Sequence, residues 1–431
     1  MTMLSTFKVK NPIAVNPCWE RQDFAKRVLQ ISQELQERKY QNVTLHLSDV
    51  SEFACCLLAC LHAKINVLLP PNLLEQNLVW AQNESDFILT DQEFRDLGLE
   101  QQVTLPQDLD ELIDPYSQTQ IKLKTSGSTG NPKVITKLAC HMWQEATSLA
   151  KVFPFVHPEL QVLGSVSCLH MYGLTHRVFL PLSQGWIIGR QQLVFNENLI
   201  AETTRPSVWI SSPVFLSNLH QIKAQAQQNL LGVVCAGGVL SLETEQKLSQ
   251  FKINVFEIYG STETGVVAYR PGKGIWQTLS PVNIGVNEHE CLWVESPWVN
   301  QREQTSDVVE LSSQGFKLIG RNDRIVKIND KRVSLSQVEQ ELILHPWVQD
   351  AYVCKHPKFM RLVALVVLKP EAMLESQGRK PIIAELKHFL SKSQEKSVLP
   401  RYWRFIEQLP RNSQDKIDRQ QVEQICLQPL N

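Results

Sequence analysis

Residues 23–69, DFAKRVLQISQELQERKYQNVTLHLSDVSEFACCLLACLHAKINVLL, decide the fold class. DFAKRVLQISQELQERKY carries apolar residues at helical spacing, NVTLHL alternates as a strand, and SEFACCLLACLHAKINVLL returns to a helix and then a second strand. That order predicts a parallel sheet with crossover helices. The texture recurs at VWISSPVF (208–215), LLGVVCAGG (230–238) and VFEIYGSTETG (255–265), each a strand running into a polar or glycine-rich loop. In such sheets ligands collect at the carboxyl ends of the strands.

Past about residue 281 the pattern shortens to strand signals at ECLWVESP and GFKLIG, followed by the charged stretch RNDRIVKINDKRVSLSQVEQEL (321–342). DAYVCKH, RLVALVVLKP and the helix-like PIIAELKHFLSKS then suggest a compact α+β unit with its own apolar strands. The expected architecture is α/β, in two domains. Residues 1–322 make a large N-terminal α/β domain with parallel sheets plus a β-rich subdomain, and residues 323–431 make a small α+β C-terminal domain.

A chain of 431 residues is long enough for two or three domains, and 43% hydrophobic with 20% charged residues excludes disordered, collagen-like and disulfide-scaffold classes. Net charge is −1, yet residues 321–431 carry 19 Lys+Arg against 13 Asp+Glu, so the C-terminal part is basic. No apolar run reaches the roughly 18 residues of a spanning helix, and MTMLSTFKVKNP lacks the apolar core of a secretory signal. No membrane span and no nucleic-acid partner are expected, and the expected location is the cytoplasm. Cys55, Cys56 and Cys60 fall in an apolar helix-like segment and are expected as buried reduced thiols; without a pair of CxxC motifs, no cysteine metal site is expected.

The strongest local signal is Thr125-Ser126-Gly127-Ser128-Thr129-Gly130-Asn131-Pro132-Lys133, after the short stretch IKLK and before a VIT strand. Small hydroxylated residues and glycines let amides and hydroxyls converge on phosphate oxygens, and a lysine supplies charge. No G-x-x-x-x-G-K-[ST] is present, so the loop is not of the Walker type. A second element, Tyr259-Gly260-Ser261-Thr262-Glu263-Thr264-Gly265, ends a strand. Its tyrosine can stack on a base, its threonine can donate to phosphate, and its glutamate can hold Mg²⁺. Read singly, GRNDRIVK (320–327) and LPRNSQDKIDR (409–419) are charged surface loops.

Seven ordered stretches together resemble the adenylate-forming (AMP-binding) superfamily of acyl- and aryl-CoA synthetases, peptide-synthetase adenylation domains and luciferases, over about residues 40–425. They are TSGSTGNPK, CLHMYG, CAGGVL, YGSTETG, TSD, GRNDRIVKI and PRNSQDKIDR. The resemblance implies that Thr125, Ser126, Gly127, Ser128, Thr129 and Lys133 hold the β- and γ-phosphates of ATP. It implies that Tyr259 stacks on adenine opposite Gly237, Gly238 and Val239, that Thr262 meets the α-phosphate, and that Glu263 binds Mg²⁺. Asp307 would accept the ribose hydroxyls, Arg321 would assist at the ribose, His170 would line the acyl pocket, and Lys416 would bridge the attacking carboxylate and the α-phosphate. The implied reaction activates a carboxylic acid as an acyl- or aryl-adenylate, releases pyrophosphate, and transfers the acyl group to CoA or to the phosphopantetheine of an acyl carrier protein. It also implies a mobile C-terminal domain.

Three positions depart from the family pattern: Val134, Asp330 and Asp415 stand where glycine is usual. Val134 lies in a segment that tolerates bulk. Asp330 sits where a pantetheine arm passes and Asp415 just before the C-terminal lysine, so both bear on the thioester step. A rival reading follows, a non-catalytic nucleotide- or carrier-binding module descended from such enzymes. The joint presence of Lys133, Glu263, Asp307 and Lys416 favours the enzyme.

Overall fold

The computed structural model describes the whole chain except residues 1–6, 98–101, 126–132, 273, 329–330, 360, 376–377, 396–397, 412–416 and 429–431. The first sheet has five strands, β1 (Asn42–His46), β2 (Asn66–Leu69), β3 (Phe87–Thr90), β4 (Gln120–Thr125) and β5 (Lys133–Leu138), in the order β3-β1-β2-β4-β5. The first four run parallel and β5 returns antiparallel on the edge.

Helix Val50–His62 is buried from Val50 to Leu61 except at the half-buried Glu52, because it packs against β1 and β2 on one side and a strand of the second sheet on another. A helix apolar on every face belongs in such a slot. Cys55, Cys56 and Cys60 serve there as small apolar side chains, and all ten cysteines of the chain are free thiols. Asp49 caps the helix by accepting from the Ser51 and Glu52 amides.

The second sheet comprises β6 (Gln161–Gly164), β7 (Ile187–Gln192), β8 (Ser207–Ser211), β9 (Leu230–Cys235), β10 (Val255–Ser261), β11 (Gly265–Pro271) and β12 (Gln277–Thr278), ordered β12-β11-β10-β9-β8-β6-β7. Strands β6 to β10 are parallel and β11 and β12 antiparallel. After β6 the chain goes outward to β7, then crosses back to lay β8, β9 and β10 on the other side. The order therefore reverses between β6 and β8, and that is where open α/β sheets form their crevice.

Strands β13 (Asn283–Val286), β14 (Cys291–Glu295), β15 (Glu303–Ser312) and β16 (Gly315–Arg321) form a four-stranded sheet in that order. The charged stretch after Gly320 is more ordered than its composition suggests. It makes a single 3₁₀ turn at Asn322–Arg324, a hairpin of β17 (Ile325–Ile328) and β18 (Lys331–Ser334), and the helix Leu335–Ile343.

The last sheet is β19 (Val348–Lys355), β20 (Leu362–Leu368) and β21 (Tyr402–Phe405), with β20 in the middle. Leu362, Ala364 and Val366 enter one core with Ile382, Leu386 and Trp403, while Val363, Leu365 and Val367 enter another with Val422 and Cys426. The unbroken apolar run of β20 follows from burial on both faces.

The chain divides into two compact units, Met1–Ile284 with Trp293–Glu303 and Ser313–Phe316, and Gly285–Leu292 with Gln304–Ser312 and Lys317–Asn431.

Candidate active site

In the first unit, the loop beginning at Thr125 is carried by the β4–β5 hairpin, whose last pair is Thr125 with Lys133. The Thr125 hydroxyl donates to the Lys133 carbonyl at 3.3 Å, and the Lys133 side chain is exposed. Ser126, Gly127, Ser128 and Thr129 lie outside the described residues. The hairpin fixes both ends of the glycine-rich loop at one place.

Strand β10 leads into a tight turn and back along β11, pairing Ser261 with Gly265. Within the turn the Ser261 amide donates to the Thr264 hydroxyl at 3.0 Å, and the Thr264 amide donates to Ser261 Oγ at 3.2 Å. Gly265 has φ +64°, and a Cβ there would come 2.7 Å from the Trp298 ring. Glycine is demanded by both conformation and space. Thr262 and Glu263, at the tip, are half-buried. The Tyr259 ring, also half-buried, packs 5.6 Å from Trp276 and 5.4 Å from Phe316, centroid to centroid.

The carboxyl ends of β6, β8, β9 and β10 converge around the reversal point. After β9 come Gly237, Gly238 and Val239, all exposed; Gly237 has φ +89° and open space where a Cβ would stand. After β6, His170 lies at the surface, immediately before the helical turn Met171–Gly173. Although VSCLHMYGL is as apolar as a strand, the segment turns helical at Met171 and continues as a π-helical stretch over Leu174–Phe179. This helical stretch places Tyr172, His176 and Arg177 inward beneath the site.

The Tyr172 hydroxyl lies 2.9 Å from the Val234 carbonyl and 3.1 Å from the Ser211 carbonyl, tying the ends of β8 and β9. Ser165 and Ser211, at the ends of β6 and β8, touch through their hydroxyls at 2.9 Å. Arg177 donates to the carbonyls of Val166, Gly189 and Gln191, and its burial lowers its pKa to about 10. His176 is neutral at pH 7, because burial lowers it to about 4 while its Nδ1 meets the Tyr172 carbonyl at 2.9 Å. Tyr172 and Arg177 escape sequence reading because they reach backbone carbonyls on separate strands.

Two more buried charges lie under the turn at the tip of β10. Lys137 Nζ donates to the Glu263 carbonyl at 2.6 Å, and Glu145 accepts from the Val266 amide at 3.1 Å.

In the second unit, Asp307 on β15 and Arg321 at the end of the adjacent β16 form an ion pair at 3.8 Å. Of Lys416 and its neighbours 412–415 nothing is described, but the flanks are. Arg411 and Ile417 form an antiparallel bridge, the Asp418 amide donates to the Pro410 carbonyl at 2.9 Å, and Arg411 pairs with Asp350 at 2.9 Å. Asp330 also falls outside the described residues. Next to Asp323, Arg324 is ion-paired with Glu339 and stacks 4.3 Å over the Tyr352 ring.

Residues 19–287 match the family profile described as AMP-binding enzyme, well over half of the chain. The chain belongs to the AMP-binding enzyme family. Residues 337–416 match the companion profile, the AMP-binding enzyme C-terminal domain. The family is that of adenylate-forming acid–thiol ligases, so this chain is an acid–thiol ligase.

Among curated relatives of this AMP-binding enzyme, a 4-coumarate–CoA ligase of Cereibacter sphaeroides is 24% identical over 297 residues, covering 68% of this chain and 69% of the relative. A D-alanine–D-alanyl carrier protein ligase of Staphylococcus aureus is 23% identical over 425 residues, covering 85% of this chain and 84% of the relative. The fold is that of ATP-bound MatB from Rhodopseudomonas palustris, with TM-score 0.79, 17% identity and 97% of each chain covered. It is likewise that of the o-succinylbenzoate CoA synthetase of Bacillus subtilis with AMP, at TM-score 0.76 and 17% identity over 97% of each chain.

Proposed function

We propose that this AMP-binding enzyme activates an organic carboxylic acid with ATP as an acyl- or aryl-adenylate, releases pyrophosphate, and passes the acyl group to the thiol of CoA or of a carrier protein's phosphopantetheine. The observation that carries the reading is the meeting of four loops at the carboxyl ends of β6, β8, β9 and β10, astride the sheet's reversal point. Attack of a carboxylate on the α-phosphorus brings two anions together in line, so the protein's work is positioning and charge neutralisation. Lys133 with Thr125 to Thr129 would hold the β- and γ-phosphates, which leave together as pyrophosphate. Tyr259 would stack on adenine against Gly237, Gly238 and Val239, with Asp307 and Arg321 at the ribose. His170 would line the acid's pocket, with the Ser211-Ser212-Pro213 turn and the Gly237-Gly238 loop. Thr262 would donate to the α-phosphate.

Mg²⁺ fits this site through its chemistry. The described residues hold no cluster of three or more His, Cys, Asp or Glu, and Mg²⁺ bound with nucleotide phosphates needs only one or two protein carboxylates. Glu263 would supply that oxygen, and the bound ion would neutralise phosphate charge as it develops. The free thiols suit a reducing compartment, and we assign the enzyme to the cytoplasm.

For the second step we propose that residues 323–431 rotate against 1–322 about Asp323, replacing Lys416 by the thiol's path. Release of AMP with each acid of a panel, in the presence of CoA or of a phosphopantetheinylated carrier, tests the full reaction. Turnover with neither acceptor for any acid would leave the nucleotide-binding module as the better reading.

A carrier is the favoured acceptor, because the C-terminal part is basic and carrier proteins present acidic helices. Its transfer rate should then fall as salt rises from roughly 0.05 to 0.5 M, since exposed charges are screened within a few ångströms at the upper value. Equal rates with free CoA and with every carrier, at all salt concentrations, would contradict this preference.

A further inference from the structure

Lys137 is 3% exposed and Glu145 1% exposed, and neither belongs to any motif read from the sequence. Lys137 Nζ donates to the Glu263 carbonyl at 2.6 Å and to the Trp298 carbonyl at 3.3 Å. Glu145 Oε1 accepts from the Val266 amide at 3.1 Å and from the Thr175 hydroxyl at 3.3 Å. Its Oε2 has no hydrogen-bond partner among the described residues and lies 2.9 Å from where a Cβ on Gly265 would stand. Burial pushes Glu145 up to about 7 and Lys137 down, while the attraction between the two charges opposes both shifts.

Two charges taken out of water cost more than a well-packed apolar pair, so packing alone gives them no purpose. What they hold is specific. The β10–β11 ladder pairs Ser261 with Gly265 and leaves Thr262, Glu263 and Thr264 outside its register. Lys137 takes the carbonyl within that gap, and Glu145 takes the amide just beyond it.

We propose that Lys137 and Glu145 are positioning residues for adenylate formation, which fix the backbone at Glu263 and just after it from within so that Thr262 and Glu263 stay aimed at the nucleotide. The inference rests on the reading of the turn given above and deepens it. Neither residue touches substrate. Lys137 acts through the main chain of Glu263, as an outer-shell partner orients a residue that holds a metal.

The test uses the full chain with Lys137→Met, Glu145→Gln and the double variant. Three readouts are taken: thermal unfolding, amide hydrogen exchange of peptides spanning 259–267, and acid-dependent exchange of pyrophosphate into ATP at varied ATP and Mg²⁺. Lys137→Met should lower kcat by about 10–100-fold, raise the Mg²⁺ needed for half-maximal rate, and leave the KM for ATP within about threefold. Amide exchange should quicken at 259–267 and not in the strands of the first sheet.

The double variant separates positioning from packing. It leaves no unpaired buried charge, so its Tm should recover towards wild type, while kcat and protection of the turn stay low because the Glu263 carbonyl still lacks its donor. Recovery of kcat together with Tm, or unchanged exchange at 259–267 in Lys137→Met, would overturn the proposal. A wild-type chain without acid-dependent exchange would instead overturn the reading of the turn, and with it the catalytic purpose of the pair. Quickened amide exchange in Lys137→Met would still establish the clamp.

Discussion

Lys416→Ala is expected to slow adenylate formation by about 10²–10³-fold while leaving transfer from a supplied acyl-adenylate near its wild-type rate, the loss being that of one donor aimed at developing transition-state charge. Lys416 would neutralise the carboxylate and α-phosphate as they close on one another, an interaction the ground state lacks, so kcat should fall rather than KM rise. The flanks of its loop are tied by the Arg411–Ile417 bridge and the Asp418–Pro410 hydrogen bond, which the substitution does not touch. Transfer is spared because the lysine has to leave before a thiol can approach by the same path.

Asp323→Pro gives the complementary separation. Proline fixes φ near about −65° in the 3₁₀ turn Asn322–Arg324, and a hinge absorbs its change at few such residues. One half-reaction should survive and the other fail. Equal loss of both steps in Lys416→Ala, or wild-type rates for both in Asp323→Pro, would remove the rotating domain from the account.

Asp307→Ala should raise the KM for ATP by roughly 10²-fold or more. A carboxylate accepting from both ribose hydroxyls makes two charge-assisted hydrogen bonds, each worth roughly 1.5–3 kcal/mol. The cost to the fold should be small, since the ion pair with Arg321 has an arginine side chain 44% exposed and spans 3.8 Å. A normal Tm with a raised KM would assign the loss to nucleotide binding. An unchanged KM would show that the TSD stretch has no part in it.

Much of this protein was legible because its signals are local. Periodicity located the helix now bounded at Val50–His62, and the strands at 207–211, 230–235 and 255–261. The short strands at ECLWVESP and GFKLIG became β14 and β16. Strand order was not legible, because pairing β2 with β4 past β3, or reversing direction after β7, is set by contacts between distant segments. The charged run after Gly320 read as a surface loop, since among the residues of β17 and β18 whose burial is described only Ile328 and Val333 are buried. In the site, the turn around Glu263 announced itself through its glycines and hydroxyls. Lys137 gave no such signal: in KVITKL a lysine reads as solvent-facing, and carbonyls 126 and 161 residues away make its burial possible.

The most direct measurement is exchange of labelled pyrophosphate into ATP, with no thiol acceptor present, across aryl, short-, medium- and long-chain acids. Exchange isolates the first half-reaction, on which the roles assigned to the nucleotide-binding residues and to Lys416 depend. The account predicts exchange that requires both Mg²⁺ and one class of carboxylic acid. Exchange with none of them, from a folded chain that still binds ATP, would contradict it.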